Sequence, residues 1–406
     1  MTNLPQGWEC KSLGDIVKLK NGFAFKSNLF CNDGIPIIRI KNIQNENIIL
    51  DDLVFCNPND YKNNLDNYLI FKNDILIAMS GATTGKIGIY NLNDKAYLNQ
   101  RIGLLRIDNN ILRKYVFWFL YCNSEQNLAN AFGAAQPNLS TEQIHNIQIP
   151  LPPLKEQERI AGILDESFAN IDESIKILEQ DLLNLDELMQ SALQKAFNPL
   201  KDNAKENYQL PQGWEWKSLG DIGEIITGTT PSKNNPNFYG NEYPLFKPSD
   251  LNGDMIIKYA GDNLSKLGFD NARNIPKDTI LVVCIGASIG KVGLSGIIGS
   301  CNQQINAIIP NSKFLPKFLF FLCLSNYFQK ILKNNASQTT LPIINKTEFS
   351  KLQIPLPPLQ EQEQIASYLD EFSLNIKDLK QNYQAQIKNL QELKKSLLDK
   401  AFKGKL

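Results

Sequence analysis

The peptide Ile149-Pro-Leu-Pro-Pro-Leu-Lys-Glu-Gln-Glu-Arg159 returns near the end of the chain as Ile354-Pro-Leu-Pro-Pro-Leu-Gln-Glu-Gln-Glu-Gln364, and a long heptad-patterned segment follows each copy. The offset is 205 residues, and the same 205 separates Gly81 from Gly286 in the Gly-Ala-x-x-Gly-Lys-x-Gly peptides and Lys195 from Lys400 in Lys-Ala-Phe. At the start, Leu4-Pro-Gln-Gly-Trp-Glu9 matches Leu210-Pro-Gln-Gly-Trp-Glu215 at 206, a slip of one residue. Two copies are too few for a solenoid, which needs at least about three units to bury a continuous core. The pattern predicts an intramolecular pseudo-dimer.

A hydrophobic content of 43% is enough for two ordinary cores in 406 residues. The 42 basic and 42 acidic side chains cancel, so a nucleic-acid partner would require the basic ones to gather on one face. The longest apolar runs, Val116 to Leu120 and Phe318 to Leu324, fall short of the roughly 20 residues that span a bilayer. No basic stretch followed by an apolar one opens the chain, so a cytoplasmic location is expected. Cys10, Cys31, Cys56, Cys122, Cys284, Cys301 and Cys323 stand singly without a Cys-x-x-Cys pair, which predicts reduced, mostly buried thiols and no metal site. His145 is the only histidine, and the second repeat has none at the matching place, so Ser-His-Asp or Cys-His chemistry is not expected in either.

Each repeat opens with about 150 residues rich in β-branched and aromatic side chains and broken by Gly, Asn and Pro, a pattern of short strands and turns. Asp74 to Met79, Ser80 to Gly85 and Lys86 to Tyr90 read as strand, tight loop, strand, and so do Thr279 to Cys284, Ile285 to Gly290 and Lys291 to Leu294. One helix is expected at about Leu112 to Ala131, and one at about Leu315 to Leu332. The Ile-Pro-Leu-Pro-Pro peptide should then stop any regular element, because proline has no backbone donor and holds its predecessor extended.

Beyond it the apolar positions Phe168, Ile171, Ile175, Leu178, Leu182, Leu185, Met189, Ala192 and Ala196 alternate steps of 3 and 4. The same steps in the second copy pick out Leu369, Phe372, Ile376, Leu379, Tyr383, Gln386, Leu390, Leu393 and Leu397, with Ile387 able to take over where Gln386 breaks the seam. So narrow a stripe predicts helix against helix, each some 60 Å long at about 1.5 Å per residue. The expected fold is mixed α/β: α+β globular modules at residues 1–150 and 201–355, alternating with two long antiparallel coiled-coil helices at 151–200 and 356–406. Asn198 to Gln209 reads as the loop leading into the second module.

Gly7-Trp8 and Gly213-Trp214, the two Gly-Ala-x-x-Gly-Lys-x-Gly peptides, Asn99-Gln100 and Asn302-Gln303, both Ile-Pro-Leu-Pro-Pro-Leu-x-Glu-Gln peptides and both heptad segments occur in the same order in each half. In that duplicated order the chain resembles the specificity subunit of type I restriction-modification systems over essentially its whole length. The resemblance implies two target-recognition domains that each read one half of an asymmetric bipartite site on double-stranded DNA, with the helices setting the gap. It also implies two modification subunits, carrying the adenine methyltransferase activity, docked on the helices, and restriction-translocation subunits joining them. S-adenosylmethionine, ATP and Mg would then belong to the partner subunits. The DNA sequence read cannot be carried over from the family.

The residues themselves agree with a subunit that is no enzyme alone. No Asn/Asp-Pro-Pro-Tyr peptide appears, since Asn57-Pro-Asn-Asp60 and Asn235-Pro-Asn-Phe238 lack the second proline. Gly81-Ala-Thr-Thr-Gly-Lys86 has three residues between its glycines and Ile87 after the lysine, where a phosphate loop needs four and a Ser or Thr. Ser80, Thr83, Thr84 and Lys86, with Ser288 and Lys291, are candidate phosphate contacts, although a hairpin that needs positive φ explains the glycines nearly as well. Gln100 and Arg101, with Gln303 and Gln304, carry side chains that can read base edges. Arg39, Lys41, Lys247 and Ser249 follow apolar strands in matching places and are further candidates, against the plainer reading of solvated strand ends. Glu156, Glu158, Arg159 and Glu361 could touch a modification subunit. The alternative function is a pseudo-symmetric scaffold that binds proteins through its helices and never touches DNA.

Overall fold

The computed structural model describes residues 4–44, 46–81, 83–124, 138–197, 210–337 and 341–406. Its two compact units are Met1–Leu178 with Ala385–Leu406, and Glu179–Gln384. Each unit therefore contains one globular module and one stretch of each long helix. The expected loop at 198–209 and residues 125–131 of the expected helix lie outside the described residues.

In the first unit the strand Glu9–Ser12 pairs antiparallel with Gln148–Leu151, placing Lys11 opposite Ile149. In the second, Glu215–Ser218 pairs with Gln353–Leu356 and Lys217 faces Ile354. The strand thus runs through the first proline of each peptide, and the break that the prolines suggested falls at the next two, Pro152-Pro153 and Pro357-Pro358. Both of these sheets have only two strands, so each strand is an edge, the setting in which a ladder tolerates a proline. The Pro150 carbonyl is also occupied, accepting from Tyr115 Oη at 2.5 Å.

The long helices Leu154–Ala196 and Leu359–Phe402 start directly beyond. Gln157 Nε2 donates to the Pro152 carbonyl at 2.8 Å and Gln362 Nε2 to that of Pro357 at 2.9 Å, and both glutamines are buried. These bonds tie the first helical turn to the proline that ends the strand, which accounts for the Gln after each peptide.

Between the closing strands each module builds two sheets of matching order. The first has a five-stranded sheet, Leu19–Asn21, Ile102–Leu105, Ile75–Ala78, Ile87–Ile89 and Glu46–Asn47, and a four-stranded one, Val54–Cys56, Ile35–Ile38, Ala96–Leu98 and Leu69–Ile70. The second repeats both, as Ile225–Thr227, Ile305–Ile308, Ile280–Val283, Val292–Ser295 and Ile256–Ile257, and as Asn263–Leu264, Tyr239–Phe246, Gly299–Cys301 and Asn274–Ile275. Ile75–Ala78 and Ile280–Val283 are buried throughout, as central strands covered on both faces should be. The covering helix in the first module is Asn110–Cys122, with Tyr115 to Leu120 buried. In the second, the single helix expected at Leu315 to Leu332 is two, Pro316–Leu324 and Asn326–Asn334. Ser325 turns extended between them, and its side chain accepts from Phe328 N to cap the second.

The long helices run antiparallel within each unit. In the first, Arg159 Nη2 reaches the Leu406 carbonyl at 3.0 Å while Asp172 meets Lys394, and Phe168 shares a core with Leu398, Ala401 and Phe402. In the second, Asp186 meets Lys380, and Ala192, Leu193 and Phe197 share a core with Leu369. Phe168, Ile171, Leu185, Leu369 and Ile376 are buried, and Ile175, Leu178, Leu182, Met189, Phe372, Tyr383, Leu390 and Leu397 are half-buried.

Leu379 and Leu393, expected in the seam, are exposed at 41% and 46%. In their place Lys380, Ile387 and Lys394 turn inward between Ile376, Tyr383, Leu390 and Leu397. The lysines find carboxylates on the facing helix, and their methylene stems cover apolar surface that a leucine would otherwise cover. Lys394 is the more enclosed: its Nζ lies 2.5 Å from Asp172, 3.6 Å from Glu46 and 4.5 Å from the centre of the Phe168 ring.

This register makes a sharp contrast between two apolar truncations. Phe168→Ala should cost about 3–5 kcal/mol, as a buried aromatic removed from a packed core, whereas Leu393→Ala should stay within about 0.5 kcal/mol. Denaturant unfolding of the two variants measures both, and equal losses would contradict the observed seam.

Candidate nucleic-acid interface

The Gly-Ala-x-x-Gly-Lys peptides are tight hairpin turns. Gly81 and Gly85 have φ of 85° and 84°, and Gly286 and Gly290 have 94° and 93°, a region that side chains with a Cβ rarely adopt. Gly85 N donates to the Ala78 carbonyl and Gly290 N to that of Val283, both at 2.9 Å, which closes each turn on its own strand. The glycines are therefore needed by the fold, whatever else the loop does.

Strand register brings three loops of each module to one sheet edge. Ile102 lies opposite Ala78, so the Asn99 to Arg101 turn stands beside the hairpin, and Ile38 lies beside Leu98, so the Arg39 to Gln44 segment stands beside that turn. Met79 N donates to the Arg101 carbonyl at 3.0 Å, Thr83 Oγ1 to that of Ile40 at 3.1 Å, and Lys86 Nζ to Gln44 Oε1 at 3.2 Å. The second module repeats the edge: Val283 faces Ile305 and Phe246 pairs with Cys301. Cys284 N donates to the Gln304 carbonyl at 2.7 Å, and Lys291 Nζ to that of Pro248 at 3.4 Å.

The candidate side chains differ widely in what they can offer there. Gln100 and Arg101 are exposed, with no side-chain hydrogen bond or ion pair among the described residues. Ser249 and Lys291 are exposed and Ser288 is half-buried. Thr84 is buried, with its hydroxyl on the Gly81 carbonyl at 2.7 Å, and the Ser80 hydroxyl is buried as well, so neither hydroxyl is presented to a ligand. Arg39 Nη2 holds the Asp52 carbonyl at 2.6 Å, and Lys41 pairs with the Asp52 carboxylate at 3.0 Å. Lys247 pairs with Asp262. Gln303 accepts from Thr230 Oγ1 at 2.7 Å, and Gln304 Oε1 accepts from Asn302 Nδ2 at 2.9 Å.

The paired lysines hold the carboxyls of Asp52 and Asp262 below the usual carboxylate range, chiefly through their hydrogen bonds. A depressed carboxylate contributes its stabilisation above the unfolded-state value of about 3.9 and loses it only as pH falls through the lower folded value. These pairs therefore stay intact through neutral pH, and a phosphate at the edge has to compete with them.

The remaining titratable candidates are structural. His145 Nε2 accepts from Leu19 N at 3.1 Å, so the single histidine holds a strand. All seven cysteines are free thiols; burial pushes Cys56 up to about 11 and Cys284 and Cys301 up to about 12. Among the described residues no cluster of three or more His, Cys, Asp or Glu is placed to hold a metal, and no helix is long and apolar enough to cross a membrane.

The family model of the type I restriction modification DNA specificity domain matches twice, at residues 5–182 and 211–389. The chain belongs to this family. The specificity subunit of the type I restriction enzyme StySPI from Salmonella potsdam is 27% identical, covering 99% of this chain and 90% of that one. That of HindI from Haemophilus influenzae is 39% identical over 151 residues, 36% of this chain and 33% of that one. Among solved structures, a chain from a study of complex assembly and conformational transition of the type I R-M system superposes with a TM-score of 0.78 at 22% identity, covering 100% of both chains. The HsdS subunit from Thermoanaerobacter tengcongensis superposes with 0.62 at 22% identity, covering 100% of this chain and 98% of that one. At such identities these two likenesses establish the specificity-subunit fold.

Sequence reasoning missed the residues that hold the edge of these DNA specificity domains in place. A Cβ at Gly22 would lie 2.0 Å from the Asn99 carbonyl oxygen, and one at Gly228 would lie 2.2 Å from that of Asn302, so each glycine lets a neighbouring loop press against the Asn-Gln turn. Asn42 and Asp250 cap the other loop, accepting from Arg39 N at 3.0 Å and Lys247 N at 2.8 Å. Their signal was available as an Asn or Asp three residues after the basic one.

Thr84→Val should cost about 1 kcal/mol by removing the hydroxyl's bond to the Gly81 carbonyl, which keeps only the one from Thr84 N, while Gln100→Ala should change stability by no more than about 0.5 kcal/mol. Denaturant titration of both variants checks this division between framework and surface.

Proposed function

We propose that the chain is the sequence-reading subunit of a type I restriction-modification complex, in which the module at residues 1–150 reads one half of an asymmetric bipartite site and that at 201–355 reads the other. The observation that carries this reading is the match of a DNA specificity domain to each half of the chain. Each half also supplies what such a role requires, a sheet edge with exposed amide and cationic side chains on a rigid frame. Bases are read by Gln100 and Arg101 in one module and by Gln303 and Gln304 in the other, with Lys86, Ser288 and Lys291 near the phosphates. A helical scaffold that never meets DNA would have no use for that domain in duplicate.

The chain is a non-catalytic subunit. Two modification subunits dock along the long helices, with Glu158 and Arg159 among the exposed side chains available to them, and restriction-translocation subunits join that core. S-adenosylmethionine, ATP and Mg are bound by those partners, and the complex works in the cytoplasm on the cell's DNA.

Co-expression with a type I modification subunit, followed by mapping of methylated adenines, should give an asymmetric bipartite motif that disappears when this chain is deleted. Removing seven residues from each long helix should shorten the spacer by about 3 base pairs, from about 10 Å of helix at about 3.4 Å per pair, and leave both half-sites as they were. Altered half-sites with an unchanged spacer would show that the helices do not set the distance.

A further inference from the structure

The Asn99-Gln100 and Asn302-Gln303 turns occupy the same place in the two modules, and in both a glycine lets a loop lie against the turn: Gly22 on the Asn99 carbonyl, Gly228 on that of Asn302. Two residues past the glycine the modules differ. Ala24 stands there in the first and Thr230 in the second.

The difference changes what the shared glutamine has free. Thr230 Oγ1 donates to Gln303 Oε1 at 2.7 Å, which fixes the amide plane and engages its carbonyl end. Gln303 is otherwise exposed, so the amino end is the part presented outward. Gln304 beside it is half-buried and also has its carbonyl engaged, by Asn302 Nδ2 at 2.9 Å. In the first module the matching sequence position is Ala24, which has no hydroxyl to donate, and Gln100 is exposed, with no side-chain hydrogen bond among the described residues.

A glutamine amide pairs bidentately with adenine by accepting from N6 and donating to N7, which needs both of its ends. At Gln303 the Thr230 hydroxyl takes one of the two lone pairs of that oxygen and restrains the amide, so the adenine amino group is left a single acceptor direction. An acceptor edge, guanine N7 and O6 or thymine O4, meets the free amino group without competition.

We infer that positions 24 and 230 are specificity-determining: by holding or releasing the carbonyl of the neighbouring glutamine, they set whether it reads an acceptor edge, as Gln303 does, or adenine, as Gln100 does. This rests on the proposed DNA-reading role and names the residues that tune it.

The test maps methylated adenines in cells carrying the full-length chain with its modification subunit. Thr230→Val should admit adenine at one position of one half-site, raising its relative modification on the order of tenfold, with the other half-site unchanged. Thr230→Ser, which keeps the hydroxyl, should retain the parental motif, so loss of folding in the valine variant would be told apart by its absence of any modification and by the serine variant. Ala24→Thr should shift one position of the other half-site away from adenine. A half-site that responds to Gln303→Ala and ignores Thr230→Val would overturn the inference and leave the reading role standing. A motif indifferent to all of these variants, and also to replacement of the whole second module, would remove the reading role itself.

Discussion

The closing of each module on itself, first strand against last, is the constraint from which the rest follows. Lys11 opposite Ile149 and Lys217 opposite Ile354 bring the two ends of about 140 intervening residues into register. Because the last strand leads directly into a long helix, its direction also fixes where that helix departs. The buried amides of Gln157 and Gln362, bonded to the carbonyls just upstream, make the junction stiff. A flexible linker there would leave the module free to turn about the helix, and residues at the sheet edge would lose any fixed bearing on a ligand.

Two kinds of residue meet at that edge and are under different physical demands. The framework consists of glycines at positive φ, glycines pressed on a carbonyl, and Asn or Asp side chains that cap a loop, all of which spend their polar groups on backbone. The presented residues have fewer such ties: the side chains of Gln100 and Arg101 have none among the described residues, Gln303 is bonded to Thr230, Gln304 to Asn302, and Lys291 to one carbonyl. Lys41 and Lys247 belong between the two, since each is already neutralised by an aspartate of its own module. For a chain with no net charge this is a coherent arrangement: non-specific attraction is held down, and what remains at the edge is side-chain geometry.

Much of this was legible in the sequence because it is periodic or duplicated. The repeat gave the two modules, the proline-rich peptide marked the helix starts, and the hairpin glycines were located with their strands. The seam of the second helix was read one residue off at Leu379 and Leu393 because a hydrophobicity pattern has no way to register an inward lysine whose partner lies on another helix. Lys380 and Lys394 are inward only because Asp186 and Asp172 face them. The same limit hid Gly22 and Gly228, where the need for glycine comes from a strand some 75 residues distant, and the Ser325 break, where a local cap overrides an unbroken apolar run. Thr84 was a candidate contact because a tight loop read from sequence does not show which of its hydroxyls turns back onto the loop's own carbonyl.

The separation of framework from presented residues also explains why a duplicated reader can diverge in what it reads. Exposed side chains on a rigid frame contribute within about 0.5 kcal/mol to stability, so exchanging them leaves the module folded. Framework positions carry larger penalties and are the ones the two copies share: the paired hairpin glycines, the glycine under each Asn-Gln turn, and the cap three residues past a basic side chain. A change from methyl to hydroxyl at a position such as 24 or 230 then alters which end of an amide is free without touching anything that holds the sheet. Specificity in this architecture can drift one polar atom at a time while the strand pairing that closes the module, and with it the departure of the helix, stays fixed.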